Sequence, residues 1–181
     1  ITAADAGKSI IIQGAWLSGT IMCALIVSAS SGTATLNVAA QTTVSGATAK
    51  VYIRDSNIKI IGGIFDRNLA IAELVNDANG FRNKSHTVFL RRVDGLIIER
   101  PTVIVPSGKY AISVGDCTKV ICNNPTYSNC ASDGFHILGP ANDITVSGTR
   151  GKTADDILAI TAADYEHYKD CQGSVYNVKF Y

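Results

Sequence analysis

The chain has 181 residues, of which 46% are hydrophobic and 17% are charged, and its formal net charge is +1. This length suits a single body with a sizeable core, and the near-neutral balance gives no reason to expect nucleic acid or an anionic membrane surface as a partner. No apolar run approaches the roughly 18 residues that a membrane-spanning helix needs.

The first part of the chain, residues 1–56, is rich in Ala, Thr, Ser and Gly. Three β-prone runs lie within it, at Ser9–Ile12, Ile21–Val27 and Thr35–Val38. Gly and Ser clusters between these runs are typical of turns. We therefore predict a module of short strands over residues 1–56.

Residues 57–181 follow a repeat of 23–24 residues that contains strands and no helix. Repeats of this kind are typical of solenoid proteins, in which each unit stacks on the next. The repeat aligns apolar residues in two columns, which are Val88, Ile112, Phe135 and Leu158, and Leu90, Val114, Ile137 and Ile160. A second strand in each unit keeps the same period, with Leu96 and Ile98, Val120 and Cys122, and Ile144 and Val146.

The alternation of apolar with polar or small residues in these strands predicts one buried face and one face toward water. We therefore predict an all-β chain in which residues 57–181 form a parallel β-helix. Two segments break the period, residues 69–85 and residues 162–171. We expect both to be loops thrown out of the coil, where ligand contacts tend to lie.

Three aspartates fall near one another if the repeat stacks as predicted. Asp133 aligns with Asp156 at a shift of 23 residues, and Asp155 lies beside Asp156. Clustered carboxylates repel, so one of them retains a proton while another stays ionised. Glycosidic cleavage needs such a pair of one acid and one base. The competing interpretation is that these residues only form turns, which Asp favours.

Phe89, Ser113, His136 and Ala159 occupy the outward positions beside the central strands, and Tyr110 precedes Asp133 by one unit. We expect His136, Tyr110, Ser113 and Phe89 to contact a substrate, with Tyr165 and Tyr168 as further aromatic candidates. The alternatives are a surface role for His136 and subunit contacts for the aromatic residues.

No cofactor or metal site is expected. His86 and His167 have no paired ligand, and the five cysteines, Cys23, Cys117, Cys122, Cys130 and Cys171, form no Cys-x-x-Cys pair. This pattern argues against zinc and thioredoxin-like sites and favours reduced structural thiols.

The segment Ser132-Asp133-Gly134-Phe135-His136-Ile137, followed by Asp155-Asp156-Ile157-Leu158-Ala159, resembles the Asn-Thr-Asp-Gly and Asp-Asp motifs of polygalacturonases, which belong to the pectate-lyase-like superfamily. The longer pattern from Asp133 to Pro140 and on to Ala162-Ala163-Asp164 is similar to phage tailspike and appendage proteins. An N-terminal phrase, Ala4-Asp5-Ala6-Gly7-Lys8 followed by Thr42–Ala47, resembles a module of phage tail proteins.

The resemblance covers roughly residues 57–181 and implies a right-handed, trimeric β-helix on a virion tail that binds or degrades a bacterial surface polysaccharide. It would make Asp155 the general acid, with Asp133 and Asp156 positioning the attacking water. The chain departs from the motif at Ala131, where the family has Asn, and at His136, where Asp is common. Neither a Gly-His-Gly motif nor an Arg-x-Lys motif follows Asp156 in the sequence.

Two functions of different classes follow from this resemblance. The first is a tailspike-like depolymerase that binds and hydrolyses capsule, lipopolysaccharide or teichoic acid by inversion. The second is a non-catalytic receptor-binding or structural β-helix of a virion that uses the same surface for adhesion alone. Both imply a homotrimer in contact with other tail proteins and an extracellular setting.

Overall fold

The computed structural model describes residues 1–68, 86–105, 108–162 and 173–181. Apart from two short 3-10 helices at Ala3–Asp5 and Leu17–Gly19, the regular elements in this part of the chain are strands. They are β1 (Ser9–Ile12), β2 (Met22–Ser30), β3 (Thr33–Leu36), β4 (Ala49–Tyr52), β5 (Asp55–Ile61), β6 (Ile64–Asp66), β7 (Val88–Arg91), β8 (Val93–Glu99), β9 (Thr102–Ile104), β10 (Ile112–Asn123), β11 (Thr126–Cys130), β12 (Phe135–Ser147), β13 (Arg150–Thr153), β14 (Leu158–Thr161) and β15 (Val175–Phe180). No helix within the described ranges is long and apolar enough to cross a membrane.

The first four strands form an antiparallel sheet in the order β3-β2-β1-β4. Its apolar face buries Ile10, Trp16, Met22 and Ile26 in a small core of their own. The prediction of short strands in this part of the chain is confirmed, and β1 has the predicted bounds. The sheet ends at Tyr52, and the first parallel strand begins three residues later.

The remaining strands form two parallel sheets, which confirms the predicted strand pairing. In the larger sheet, Ile112 of β10 lies between Val88 of β7 and Phe135 of β12, and Phe135 pairs in turn with Leu158 of β14. The second predicted set pairs in the same way, with Leu96, Val120 and Ile144 in register across β8, β10 and β12. The smaller sheet has the order β13-β11-β9-β6.

The main core lies between these parallel strands and contains the predicted inward columns. Ile112, Phe135, Val114 and Ile137 are fully buried. Ile160 departs from the prediction, since 47% of its surface is exposed. Its strand, β14, lies at the edge of the sheet, so no further strand in the described chain covers that side chain.

The strands of the larger sheet bend at the same place in successive repeats. One residue in each of five strands has a positive φ angle, and register places these residues side by side; they are Asn57, Gly95, Lys119, Asp143 and Asn177. Asn, Asp and Gly tolerate this left-handed conformation better than other residues. The stacked bends keep equivalent parts of neighbouring repeats in register.

Candidate functional site

Asp133 and His136 form a buried pair where β12 begins. The Oδ2 atom of Asp133 lies 2.5 Å from the Nδ1 atom of His136, and only 5% and 3% of the two residues is exposed. The alternation along β12 sends Phe135 and Ile137 into the core and turns His136 to the opposite face. Asp133 precedes the histidine by three residues, so its carboxylate reaches the ring from the turn before the strand.

The pairing leaves one nitrogen of the imidazole with no hydrogen bond. The carboxylate of Asp133 can only accept at His136 Nδ1, so a neutral ring carries its proton there. Within the described residues, the Nε2 atom of His136 is buried and has no hydrogen-bond partner. The second carboxylate oxygen of Asp133 accepts from the Ser132 hydroxyl at 3.3 Å. The arrangement therefore offers an oriented imidazole whose Nε2 atom can accept a proton.

An aromatic stack fixes the plane of the His136 ring. The rings of Tyr110 and His136 are stacked, with 3.7 Å between centroids and 16° between planes. The His86 ring is also stacked on Tyr110, with 4.9 Å between centroids. Two cations stand over the aromatic rings, Lys109 over Tyr110 at 4.7 Å and Arg91 over Phe89 at 5.1 Å.

Ser113 lies beside His136 on the neighbouring strand. It pairs in register with His136 of β12 on one side and with Phe89 of β7 on the other. Phe89 packs against Leu138, which lies two strands away on β12. To reach Leu138, the Phe89 side chain crosses β10, and the small side chain of Ser113 at the paired position leaves room for it. Ser113 is fully buried, and its hydroxyl has no hydrogen-bond partner among the described residues.

The prediction that this face of the strands points to water is wrong at this position. Ser113, His136 and Ala159 are buried, and Phe89 is half-buried. Tyr110, which we expect from the sequence to contact a substrate, is buried against His136. The physical reason is that other side chains pack on this face of the sheet, Tyr110 on His136 and Phe89 on Leu138, as in parallel sheets with two buried faces.

Asp155 and Asp156 lie one repeat beyond Asp133, as predicted. The Gly134 amide donates to the Asp156 carbonyl at 2.9 Å, so the backbone of Asp156 runs beside that of Asp133. The side chains differ, because Asp155 and Asp156 are exposed and Asp133 is buried. Among the hydrogen bonds of the described residues, none joins either exposed carboxylate to Asp133 or His136.

Sequence reasoning missed a second buried acid, Asp116, at a bulge in β10. The Arg54 Nη1 atom donates to its Oδ1 atom at 2.5 Å and to the Ser9 hydroxyl at 2.7 Å. The Arg92 Nε atom lies 3.7 Å from the other oxygen. The signal available in the sequence was a charged residue inside a run of apolar and small residues, Ile112–Cys117. This cluster ties the antiparallel sheet to the parallel strands.

An open depression of about 230 Å³ crosses the outer side of the larger sheet. It is lined by Lys119, Ile121, Asp143, Thr145, Asn177 and Lys179. Asp143 accepts hydrogen bonds from Asn142, at 2.8 Å, and from Asn177. The depression lies on the second half of the strands, away from the turn that carries Asp133.

The described residues hold no group of three or more His, Cys, Asp or Glu side chains that could bind a metal ion. Four cysteines, Cys23, Cys117, Cys122 and Cys130, are free and buried. Burial raises the pKa of the Cys117 thiol to about 11 and that of Cys122 to about 12, so both are protonated at neutral pH. The remaining candidates, Tyr165, His167, Tyr168 and Cys171, lie outside the described residues, as do both predicted loops except Ala162.

Comparisons of the chain with protein-family models, with curated proteins and with solved structures find no match.

Proposed function

We propose that residues 57–181 wind as a right-handed parallel β-helix of the pectate-lyase-like kind. The support is the repeated parallel pairing at a shift of about one repeat, carried by strands in two separate sheets. The column of left-handed residues adds a bend at the same point of each unit. Stacked coils about 4.8 Å apart then present side chains of successive repeats along one wall.

We further propose that this wall binds and hydrolyses a bacterial surface glycan. The supporting observation is that Asp133 and Asp156 are neighbours across one repeat, with one carboxylate buried against His136 and the other exposed. Carboxylates in such different surroundings suit different roles. Asp155 serves as general acid, and Asp156 positions water with Asp133, whose carboxylate is held by His136 and Ser132.

A second candidate is adhesion to the same glycan without cleavage. It is favoured by the burial of Asp133, His136 and Tyr110, which withdraws them from a polysaccharide lying on the surface. In this case the exposed carboxylates of Asp155 and Asp156 contact sugar hydroxyls. The protein would then be a receptor-binding or structural β-helix of a virion.

Under both candidates we propose a homotrimer located on the tail of an extracellular virion, in contact with other tail proteins. Several large apolar side chains are exposed and are available for subunit contacts. They include Ile53, Ile61, Ile64, Tyr176 and Phe180.

The experiment is incubation with a panel of capsular polysaccharides, lipopolysaccharides and teichoic acids, scored for new reducing ends and for binding. We expect cleavage of one glycan and a loss of about 100-fold or more in the Asp155→Asn variant, because a general acid contributes at least that factor. Binding should persist in this variant. Asp55→Asn, which changes an exposed aspartate at the start of β5, is the matched control.

Unimpaired cleavage by Asp155→Asn would remove Asp155 from the mechanism. Binding by the unaltered protein without any new reducing ends would favour adhesion over hydrolysis.

A further inference from the structure

We infer that Ser113, His136 and Asp133 form a nucleophile, base and orienting acid for hydrolysis of a small carboxylic ester. This inference does not rest on glycan cleavage, although both proposals use the Asp133 carboxylate. The starting observation is that two buried polar atoms without partners in the described structure, Ser113 Oγ and His136 Nε2, belong to residues that pair in register.

Register places the two side chains next to each other. Ser113 and His136 are opposite one another in a parallel pair, so their Cα atoms are about 4.8 Å apart and both side chains leave the same face. No hydrogen bond joins them in this structure. Rotation about the Cα–Cβ bond of Ser113 moves its hydroxyl relative to the Nε2 atom of His136. Catalytic hydrogen bonds are often long before substrate binds.

Ser113 Oγ and His136 Nε2 destabilise the folded protein, because each is buried without a hydrogen bond within the described structure. Buried polar groups of this kind call for a functional or structural explanation. A nucleophile and its base explain both atoms at once. The Asp133 carboxylate, 2.5 Å from Nδ1, supplies the third group that such a base requires.

The imidazole is also held in place. Tyr110 stacks on one face of the His136 ring at 3.7 Å between centroids, which fixes the ring plane. Small residues flank the histidine on both sides, Ser113 on β10 and Ala159 on β14. Phe89 pairs in register with Ser113 on the other side and packs onto Leu138 of β12, so its side chain lies over this face of β10. A substrate therefore enters by displacing the half-buried Phe89 side chain, which restricts the acyl group to a small one.

The reaction balances without a further reagent. Ser113 Oγ forms a bond to the ester carbonyl carbon while its proton moves to His136 Nε2. The ester C–O bond then breaks, and the departing alkoxide takes that proton and leaves as an alcohol. Water attacks the acyl-serine in the same way, which releases the carboxylic acid and restores the serine hydroxyl. Asp133 stabilises the imidazolium in both steps.

The test uses a fluorophosphonate probe and p-nitrophenyl acetate with the full chain. We expect a single phosphonate adduct on the peptide that contains Ser113, together with ester hydrolysis that falls about 100-fold or more in Ser113→Ala and in His136→Gln. Ser128→Ala, which changes an exposed serine on β11, should keep both the adduct and the rate. Phe89→Ala should increase labelling because it uncovers the serine.

The inference is overturned if the folded protein and its Phe89→Ala variant both remain unlabelled, or if Ser113→Ala hydrolyses the ester as fast as the unaltered chain. Circular dichroism of each variant separates a lost nucleophile from a lost fold. This assay does not measure reducing ends released from a glycan. A negative result for ester hydrolysis therefore leaves the proposed glycan cleavage untouched, and that proposal is tested by its own experiment.

Discussion

Asp116 is a charged residue that lies buried where the antiparallel sheet meets β10. Its carboxylate is buried, and burial raises its pKa, although the guanidinium of Arg54 opposes that shift. A buried charge that loses its partner costs far more than a surface charge, because water cannot replace the missing contact. Arg54 therefore stabilises the junction between the antiparallel sheet and β10.

We expect Arg54→Met to lower the free energy of unfolding by about 3–5 kcal/mol at pH 7, since it leaves the Asp116 carboxylate without its closest cation. Because the folded pKa is raised, the ionised carboxyl costs stability above that pKa, and the cost disappears as pH falls below the unfolded value of about 3.9. The deficit of the variant should therefore shrink between pH 7 and pH 4. Denaturant unfolding measures it.

Arg150→Met changes an exposed arginine on β13 and is the control, with an expected change within about 0.5 kcal/mol. A deficit in Arg54→Met that is small, or that stays constant from pH 7 to pH 4, would show that Asp116 does not depend on this partner.

Among the strands, β13 depends on a glycine for its approach to β11. Gly151 pairs in register with Tyr127, and a Cβ atom at position 151 would lie 1.9 Å from the Tyr127 carbonyl oxygen. That oxygen belongs to backbone, which cannot move aside without disturbing the strand pairing. The smaller parallel sheet therefore tolerates only glycine here.

We expect Gly151→Ala to reduce the free energy of unfolding by about 3 kcal/mol or more, because the added methyl group forces the two strands apart. Gly46→Ala is a matched control, since Gly46 also has a positive φ of 67° but nothing within 4 Å of an added Cβ. Its free energy of unfolding should fall only by the backbone strain of an alanine in the left-handed conformation, about 1–2 kcal/mol. Equal losses in thermal or denaturant unfolding would contradict the close strand approach.

The pairing of the strands could be predicted because the apolar spacing repeats, so that Ile112, Phe135 and Leu158 align from sequence alone. The burial of Ser113 and His136 could not. Side chains from neighbouring repeats pack on this face, Tyr110 on His136 and Phe89 on Leu138, and such contacts between repeats leave no periodic signal.

The Asp116 cluster was equally hidden from sequence reasoning, because it joins Ser9, Arg54 and Asp116 from distant parts of the chain. Asp133 and Asp156 were recognised as neighbours because they share the repeat. For His136, which holds Asp133, the sequence predicts an outward position in contact with a substrate, since alternation distinguishes the two faces but not what covers them.

At the scale of the whole molecule, both proposed activities depend on the register with which the repeats pair. The repeat places residues about two dozen positions apart in the chain side by side in space, as with Ile121 and Thr145. The backbone of Asp156 beside that of Asp133 and the pairing of Ser113 with His136 both follow from that register. If the register is wrong, neither the glycan site nor the ester site can form.

The most direct measurement is cross-linking of paired cysteines introduced on the outer side of the larger sheet. Ile121→Cys with Thr145→Cys lies in register on β10 and β12, and the described native cysteines are buried and protected. We expect rapid joining of this pair by a short bifunctional methanethiosulfonate, located by peptide mass. The pair Ile121→Cys with Lys152→Cys, which falls in the other parallel sheet, should remain unjoined. Failure of the first pair to join, or equal joining of both, would contradict the stacked register.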